Sequence, residues 1–261
     1  YVTSGNVVMK DDVYLVGKGY GSHIRNISIS GFSKCTLISG NMGDPTNGNS
    51  MFDETGYDLD AIAPGDFEIP LITSGDASNL AVGDIVGIQS KEKWPQAAPS
   101  NKGKWLNQNE IVAINGGTIR LRYAVPDTYT SSSGSRPTLH VISGGLNGYD
   151  GNPLFMAKNC GARNLRLTQV IGGTSGWYCL FPCGINQTYE KLWMDDASTL
   201  IGSNNLSYGT FRDIEGNFEA GFVDLAEWQN NILMENVNGT RIAANSNLNR
   251  LGLALSKGTD I

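Results

Sequence analysis

Five short stretches in the second half of the chain carry one pattern: NLRLTQV (164–170), KLWMDDA (191–197), TFRDIEG (210–216), NILMENV (231–237) and GLALSKG (252–258). Their first apolar residues, Leu165, Leu192, Phe211, Ile232 and Leu253, recur at roughly 19 to 27 residues, the period of a solenoid. Each unit reads as a short strand bounded by Asn, Gly or Ser, with Leu or Met at alternate positions. A strand this short cannot bury its apolar face alone. Stacked on the next turn of chain it shares a continuous core, with backbone hydrogen bonds running along the stack. The pattern predicts an all-β chain built as a parallel β-helix.

Composition agrees. Charged residues make up 17% of the chain and glycines number 33, which favours tight turns and stacked strands over helical bundles, whose exposed faces need Glu and Lys. The net charge is −6, and no run of Lys and Arg is present to drive counterion release, so nucleic acid is not an expected partner. No apolar run reaches the roughly 18 residues of a membrane span, and no charged-then-apolar leader precedes the first strand-like segment. The 261 residues are read as one β-helix domain and, because both ends fall in strand-like sequence, as a piece of a longer protein. Cys35, Cys160, Cys179 and Cys183 lack C-x-x-C spacing and read as buried thiols. Sequons at Asn26, Asn186, Asn205 and Asn238 are ordinary in an Asn-rich chain and establish no secretory route.

Gly17, Gly19 and Gly21, in NVVMKDDVYLVGKGYGSHI, invite comparison with a phosphate-binding loop. Such a loop needs G-x-G-x-x-G leading into a helix. Here the glycines lead into IRNISISGF, whose alternation is that of a strand, so they are expected to form a tight bend between strands. Residues 42 to 140, approximately, break the solenoid period. FEIPLITSGDASNLAVGDIVGIQS and NEIVAINGGTIRLRYAV read as strands with a hairpin turn at Gly116 and Gly117. The polar KEKWPQAAPSNKGKWLNQ between them carries Trp94 and Trp105, either as a loop over a binding groove or as a disordered tip.

With these segments in view, the chain resembles the pectate-lyase-like right-handed β-helix superfamily. NVVMKDDVYLVGKGYGSHI is similar to its early coil of strand, glycine bend and strand. AVGDIVGIQS followed by EIVAINGGTIRLRYAVPDTY looks like the β-rich excursion of polysaccharide-acting members and phage tail spikes. The resemblance implies a right-handed parallel β-helix and a polysaccharide partner. It does not fix an activity, since this fold hosts lyases, hydrolases, epimerases and adhesins. The Asp-Pro-His-Glu motif of the alginate epimerases would fall on Phe181, Pro182, Cys183 and Gly184, where only the proline matches. The acidic motifs and Gly-His-Gly of polygalacturonases are represented only by Asp195-Asp196, with His23 and His140 distant in sequence.

Aligning the repeats by their first apolar residue puts Arg166, Trp193 and Arg212 in one outward row. Trp stacks on the apolar faces of sugars, and guanidinium grips carboxylates at two points, so the row suits an acidic polysaccharide. Nearby stand Asp195, Asp196, Asp213, Glu215, Glu219, Asp224 and Glu227. Two of these can serve a glycoside hydrolase as acid and base or nucleophile. Alternatively, two or three can hold Ca²⁺ against a uronate while Arg212 or Arg166 removes the α-proton in β-elimination, although Arg holds its proton at nearly any pH. Any one carboxylate can instead simply hydrate a coil bend. Trp177, Tyr178 and Phe181 form a possible sugar platform or part of the core. Asn164, Asn204, Asn205, Asn217, Asn230, Asn231 and Asn236 cluster near bends, where Asn tolerates left-handed geometry, and read as structural. No G-x-S-x-G elbow or H-E-x-x-H spacing occurs.

The sequence therefore points to a polysaccharide-degrading β-helix protein, a lyase or hydrolase. Its candidate catalytic residues are Asp195, Asp196, Arg212, Asp213 and Glu215, and its candidate binding residues are Arg166, Trp193, Trp177, Trp94 and Trp105. The alternative is a glycan-binding adhesin or tail-spike shaft that does not cleave. The resemblance implies an extracellular or virion-surface location, and a homotrimer if the protein is a tail spike.

Overall fold

In the computed structural model the described residues are 1–27, 35–41, 56–89, 106–132, 136–142, 155–169, 178–204, 206–226, 229–242 and 253–255. They fall in two compact units, Tyr1–Asn41 with Met156–Ile261, and Met42–Phe155.

The first unit is a parallel β-helix. Its opening coils supply β1 (Val2–Thr3), β2 (Val7–Val8), β3 (Tyr14–Val16), β4 (His23–Asn26), β5 (Leu37–Ile38) and β6 (Gly40–Asn41). The second unit supplies β7 (Tyr57–Asp58), β8 (Glu68–Pro70), β9 (Ile85–Gln89), β10 (Leu106–Asn115), β11 (Thr118–Leu121) and β12 (Thr138–Val141). The β-helix resumes with β13 (Phe155–Gln169), β14 (Tyr178–Phe181), β15 (Gly184–Asn204), β16 (Leu206–Ala226), β17 (Asn230–Arg241) and β18 (Leu253–Leu255). The chain leaves and re-enters the β-helix at adjacent points, since the Ala157 amide donates to the Ser39 carbonyl at 2.8 Å.

The 21-residue strands β15 and β16 are whole coils rather than straight ribbons. What turns them is a single residue in the left-handed region at each corner. Two rows of such residues run up the stack, Asn159, Asn186, Tyr208, Asn231 and Asn164, Lys191, Asp213, Asn236, with φ between 51° and 57°. Asn and Asp reach this region at low cost because their short side chains bond locally. The amides also bond along the stack, Asn186 to Asn159 at 2.7 Å and Asn236 to the Asp213 carboxylate at 3.0 Å. Asn164, Asn231 and Asn236 thus hold the structural bend positions expected of them. Asn230 differs, being a buried strand residue that donates to Ser207 Oγ.

The repeats stack as expected for the first pair, Leu165 on Leu192, and then the register departs from the expected one. Leu192 pairs with Ile214, not Phe211, and Ile214 with Val237, not Ile232. Phe211 instead lies between Tyr189 and Met234, and Leu253 pairs with Val223 on a different part of the coil. The cause is that each coil has an inward apolar residue on both sides of its bend. GARNLRL, TYEKLWM, TFRDIEG and LMENVNG are the segments that superpose, with the left-handed residue fourth in each. Inside, Leu165, Leu167, Leu192, Met194, Phe211 and Ile214 are buried, and Tyr189 stacks on Phe211 with centroids 5.6 Å apart. The four cysteines are buried free thiols, and burial pushes those of Cys35 and Cys160 up to about 12.

Gly17, Gly19 and Gly21 lie between β3 and β4, as the bend reading requires. A Cβ on Gly17 would overlap the Asn164 carbonyl oxygen, and Gly19 has φ of +110°. Residues 28–34, the rest of the expected following strand, lie outside the described residues.

The second unit is antiparallel, in the order β7-β12-β9-β10-β11-β8. A Leu59–Leu71 bridge, with Asp60 N to Pro70 O at 3.1 Å and Ile72 N to Asp58 O at 3.0 Å, joins the two outer strands and closes the sheet into a small barrel. Leu59, Ile69, Ile88, Ile111, Ile119, Leu121 and Leu139 are all buried in one apolar cluster. The expected hairpin joins β10 to β11 through Gly116, at φ of +59°.

Lys191 is exposed and occupies a bend that costs a side chain lacking local bonding roughly 1–2 kcal/mol. Lys191→Asn is expected to raise stability by about 1 kcal/mol, read as a higher urea midpoint at unchanged m-value. A lower midpoint would show that the side chain does more than turn the corner.

Candidate functional site

Between the inward residues of the stacked strands lie outward ones, and the register fixes which of them are neighbours. His23 pairs with Arg166, Arg166 with Trp193, Trp193 with Glu215, and Glu215 with Asn238. Successive members are separated by one strand spacing, about 4.8 Å. This row replaces the expected Arg166, Trp193, Arg212. Arg212 stands across the Asp213 bend, in a second row of Arg163, Glu190, Arg212 and Glu235.

Asp195 anchors the first row. It follows Trp193 by two positions on the same side of β15, yet it is 5% exposed. A carboxylate buried to this degree needs hydrogen-bonded partners. It has two: Arg166 Nε donates to Oδ2 at 2.5 Å and Trp193 Nε1 donates to Oδ1. Both oxygens are engaged, so Asp195 fixes the orientation of Arg166 and Trp193. The Arg166 side chain remains 41% exposed, and its two terminal nitrogens have no partner among the described residues. Tyr20 packs against Trp193 with ring centroids 5.9 Å apart.

His23, distant in sequence from the acidic repeats, is brought beside Arg166. Its Nε2 lies 2.6 Å from Thr168 Oγ1, and Thr168 is buried. The imidazole is held below its ordinary pKa, first by burial and then by the Arg166 guanidinium and Arg25, against an opposing pull from Asp195. The ring is therefore neutral at neutral pH. Sequence reading missed this residue because nothing local marks it; the only signal was that HIRN could pair with RLTQ as another coil.

Arg212 is held by Glu235 at 2.8 Å and Glu190 at 3.4 Å, 23 residues after it and 22 before it. Hydrogen bonding and charge from Glu235 raise its pKa further, which opposes the expected role as proton acceptor. Asp213 and Asp196 are bend residues at φ of 52° and 53°, and Asp213 accepts from Asn236. Glu215 is exposed in the row beside Trp193. Asp224 accepts from the Tyr178 hydroxyl at 3.0 Å, and Phe181, packed on Tyr178, is buried rather than presented to a sugar. Among the described residues no three or more His, Cys, Asp and Glu side chains converge as metal ligands. Trp94, Trp105, Trp177 and Glu227 lie outside the described residues.

A cavity of about 700 Å³ is lined by Val7, Leu15, Ile24 and Leu165 among others. These are inward residues, packed on the β-helix core, and His23 alone of the row borders the cavity, so the open row is the better place for a long ligand.

Fold and site together define a parallel β-helix protein with an ordered cation, indole and imidazole on one outward face. Among solved structures the chain is similar to the tailspike gp61 of Pseudomonas phage phi297, at 10% identity and a TM-score of 0.54, covering 92% of this chain and 38% of that one. That likeness establishes the fold. Weaker similarity extends to the tailspike gp49 of Pseudomonas phage LKA1, at 10% identity over 90% of this chain and 53% of that one, TM-score 0.36. It extends also to the gp54 tailspike of Acinetobacter baumannii bacteriophage AP22, solved with a capsular saccharide, at 11% identity over 90% of this chain and 52% of that one, TM-score 0.36. The chain thus spans from about two fifths to just over half of the length of these tailspikes. No family model matches it, and no curated protein matches it.

If Asp195 positions Trp193, the Asp195→Ala variant should release the indole. Exchange of the Trp193 indole proton, followed by NMR, is expected to accelerate more than tenfold, while Arg212→Ala leaves it unchanged. Equal exchange in wild type and Asp195→Ala would remove Asp195 from this role.

Proposed function

We propose that the protein binds an acidic polysaccharide along the row from His23 to Asn238, as the glycan-engaging part of a longer virion-surface or extracellular protein. The observation that carries this reading is Arg166. A guanidinium held through Nε by a buried carboxylate keeps its terminal nitrogens as a preorganised fork, and that fork matches the two oxygens of a sugar carboxylate. Trp193, locked by the same Asp195 and flanked by Tyr20, supplies the apolar face on which a pyranose ring stacks one strand further along. A ligand running along the stack meets these groups in sequence, which suits a linear polymer. The fold shared with a phage tailspike is consistent with the assignment.

The hydrolase version has little support from the carboxylates singled out in sequence. Asp195 is saturated by two donors, Asp213 is bonded at a bend, and Glu215 alone stands free in the row. Neither Asp195 nor Asp213 is thus left free for an acid or base role.

Retention on immobilised uronate polysaccharides is the direct test. Arg166→Ala and Trp193→Ala are each expected to weaken binding at least about tenfold, the effect of losing a charge-assisted hydrogen bond of roughly 1.5–3 kcal/mol or a stacking platform. The same glycan with its carboxyls reduced to alcohols should bind as weakly to wild type as the acidic form binds to Arg166→Ala. Equal retention of acidic and reduced glycan would overturn the carboxylate reading.

A further inference from the structure

Resting on the proposed binding of an acidic glycan, we infer that His23 is a catalytic base and that the bound polymer is cut by β-elimination. Three features of the geometry meet here. His23 is the immediate neighbour of Arg166 in the row, so a sugar carboxylate seated on the Arg166 fork places its α-carbon within one strand spacing of the imidazole. One ring nitrogen, Nε2, is tied to Thr168 Oγ1 at 2.6 Å, while Nδ1 has no partner among the described residues. With the proton on Nε2 and donated to Thr168, the Nδ1 lone pair is the free acceptor. Thr168 is buried and lies beside Asp195 in register, so the ring is oriented from the same side as the guanidinium.

The step balances without an oxidant, a reductant or a metal. The α-C–H bond of the uronate breaks and its proton passes to Nδ1 of His23. The electron pair delocalises into the carboxylate, whose charge Arg166 holds. It then forms the double bond between the α- and β-carbons as the bond from the β-carbon to the glycosidic oxygen breaks. That oxygen leaves with a proton from water, giving one fragment a new reducing end and the other an unsaturated uronate. His23 returns its proton to solvent. The division of labour departs from the arginine base considered from sequence: Arg166 is engaged as a cation by Asp195, and Arg212 is paired on both sides.

The groups that face His23 are Arg166 and Arg25, which disfavour its protonation, and Asp195, which favours it. Activity should therefore persist to lower pH than an ordinary histidine base with pKa 6.5 allows, and fall as the pH drops through the depressed value.

The experiment uses the full chain with polygalacturonate, alginate and hyaluronan, reading retention, new reducing ends and ultraviolet absorbance of the unsaturated product in parallel. Wild type is expected to retain at least one of them and to yield both signals from it. His23→Gln should still retain that glycan through Arg166 and Trp193, yet lose product formation about 10²- to 10⁴-fold, the usual contribution of a general base. Thr168→Val, which keeps the imidazole and frees Nε2, should lower kcat with KM little changed and move the acidic limb of the pH profile. Full activity in His23→Gln would overturn the role of His23. Retention of a glycan by wild type with no unsaturated product would overturn the elimination and leave the binding reading standing. Absence of retention on all three would remove both.

Discussion

Every coil of the β-helix depends on turning at the same place as the coil beneath it. The corner is one residue wide and needs the left-handed region, so the chain must place a tolerant side chain there in each repeat. Once the corners are stacked, everything between them is in register: inward positions share a core, and outward positions form rows. Asn and Asp serve the corner twice, by accepting the backbone geometry and by bonding the amide or carboxylate of the neighbouring coil. Where Lys191 and Tyr208 stand instead, neighbouring coils impose the geometry.

Rows make function a matter of neighbours rather than of residue type. Arg166 on β13 and Arg212 on β16, with β15 between them, are both half-exposed arginines, yet they are chemically different. Arg212 lies between Glu190 and Glu235, so its charge is spent on the stack. Arg166 meets one buried carboxylate through Nε alone, and its two terminal nitrogens have no partner among the described residues. A buried Asp195 that holds two side chains at once is also a stronger organiser than an exposed one, because the low dielectric around it makes every loosened contact costly.

Placing the proposed binding groups on strands rather than loops has a further consequence. The spacing of His23, Arg166, Trp193 and Glu215 is set by backbone hydrogen bonds along the stack, and so is fixed before a ligand arrives. A repeating polymer laid along such a ruler meets a constant increment, which is the geometry in which a cation, a stacking ring and a proton acceptor can each take a different part of adjoining sugars.

The sequence by itself determined the class of fold, the bends and the apolar core. Repeat spacing, glycine and asparagine content and alternation at Leu165, Leu167, Leu192 and Met194 are local properties, and they survive any choice of alignment between coils. It also determined that Arg166 and Trp193 are neighbours, because those two repeats align without ambiguity. Only the tertiary structure decided the rest of the row. With inward apolar residues on both sides of each bend, TFRDIEG can be laid on KLWMDDA by Phe211 or by Ile214, and the choice moves Arg212 out of the row and Glu215 into it. His23 entered the site for the same reason: a parallel pairing between β4 and β13 spans most of the intervening chain, including the whole second unit, and no local pattern encodes it. Closure of that unit into a barrel rests likewise on one bridge, Leu59 to Leu71, between strand ends whose sequences promise only a hairpin and flanking strands. Short-range periodicity specifies what each segment becomes, whereas register between segments is a property of the packed core, and the chemistry of the outward face follows from register.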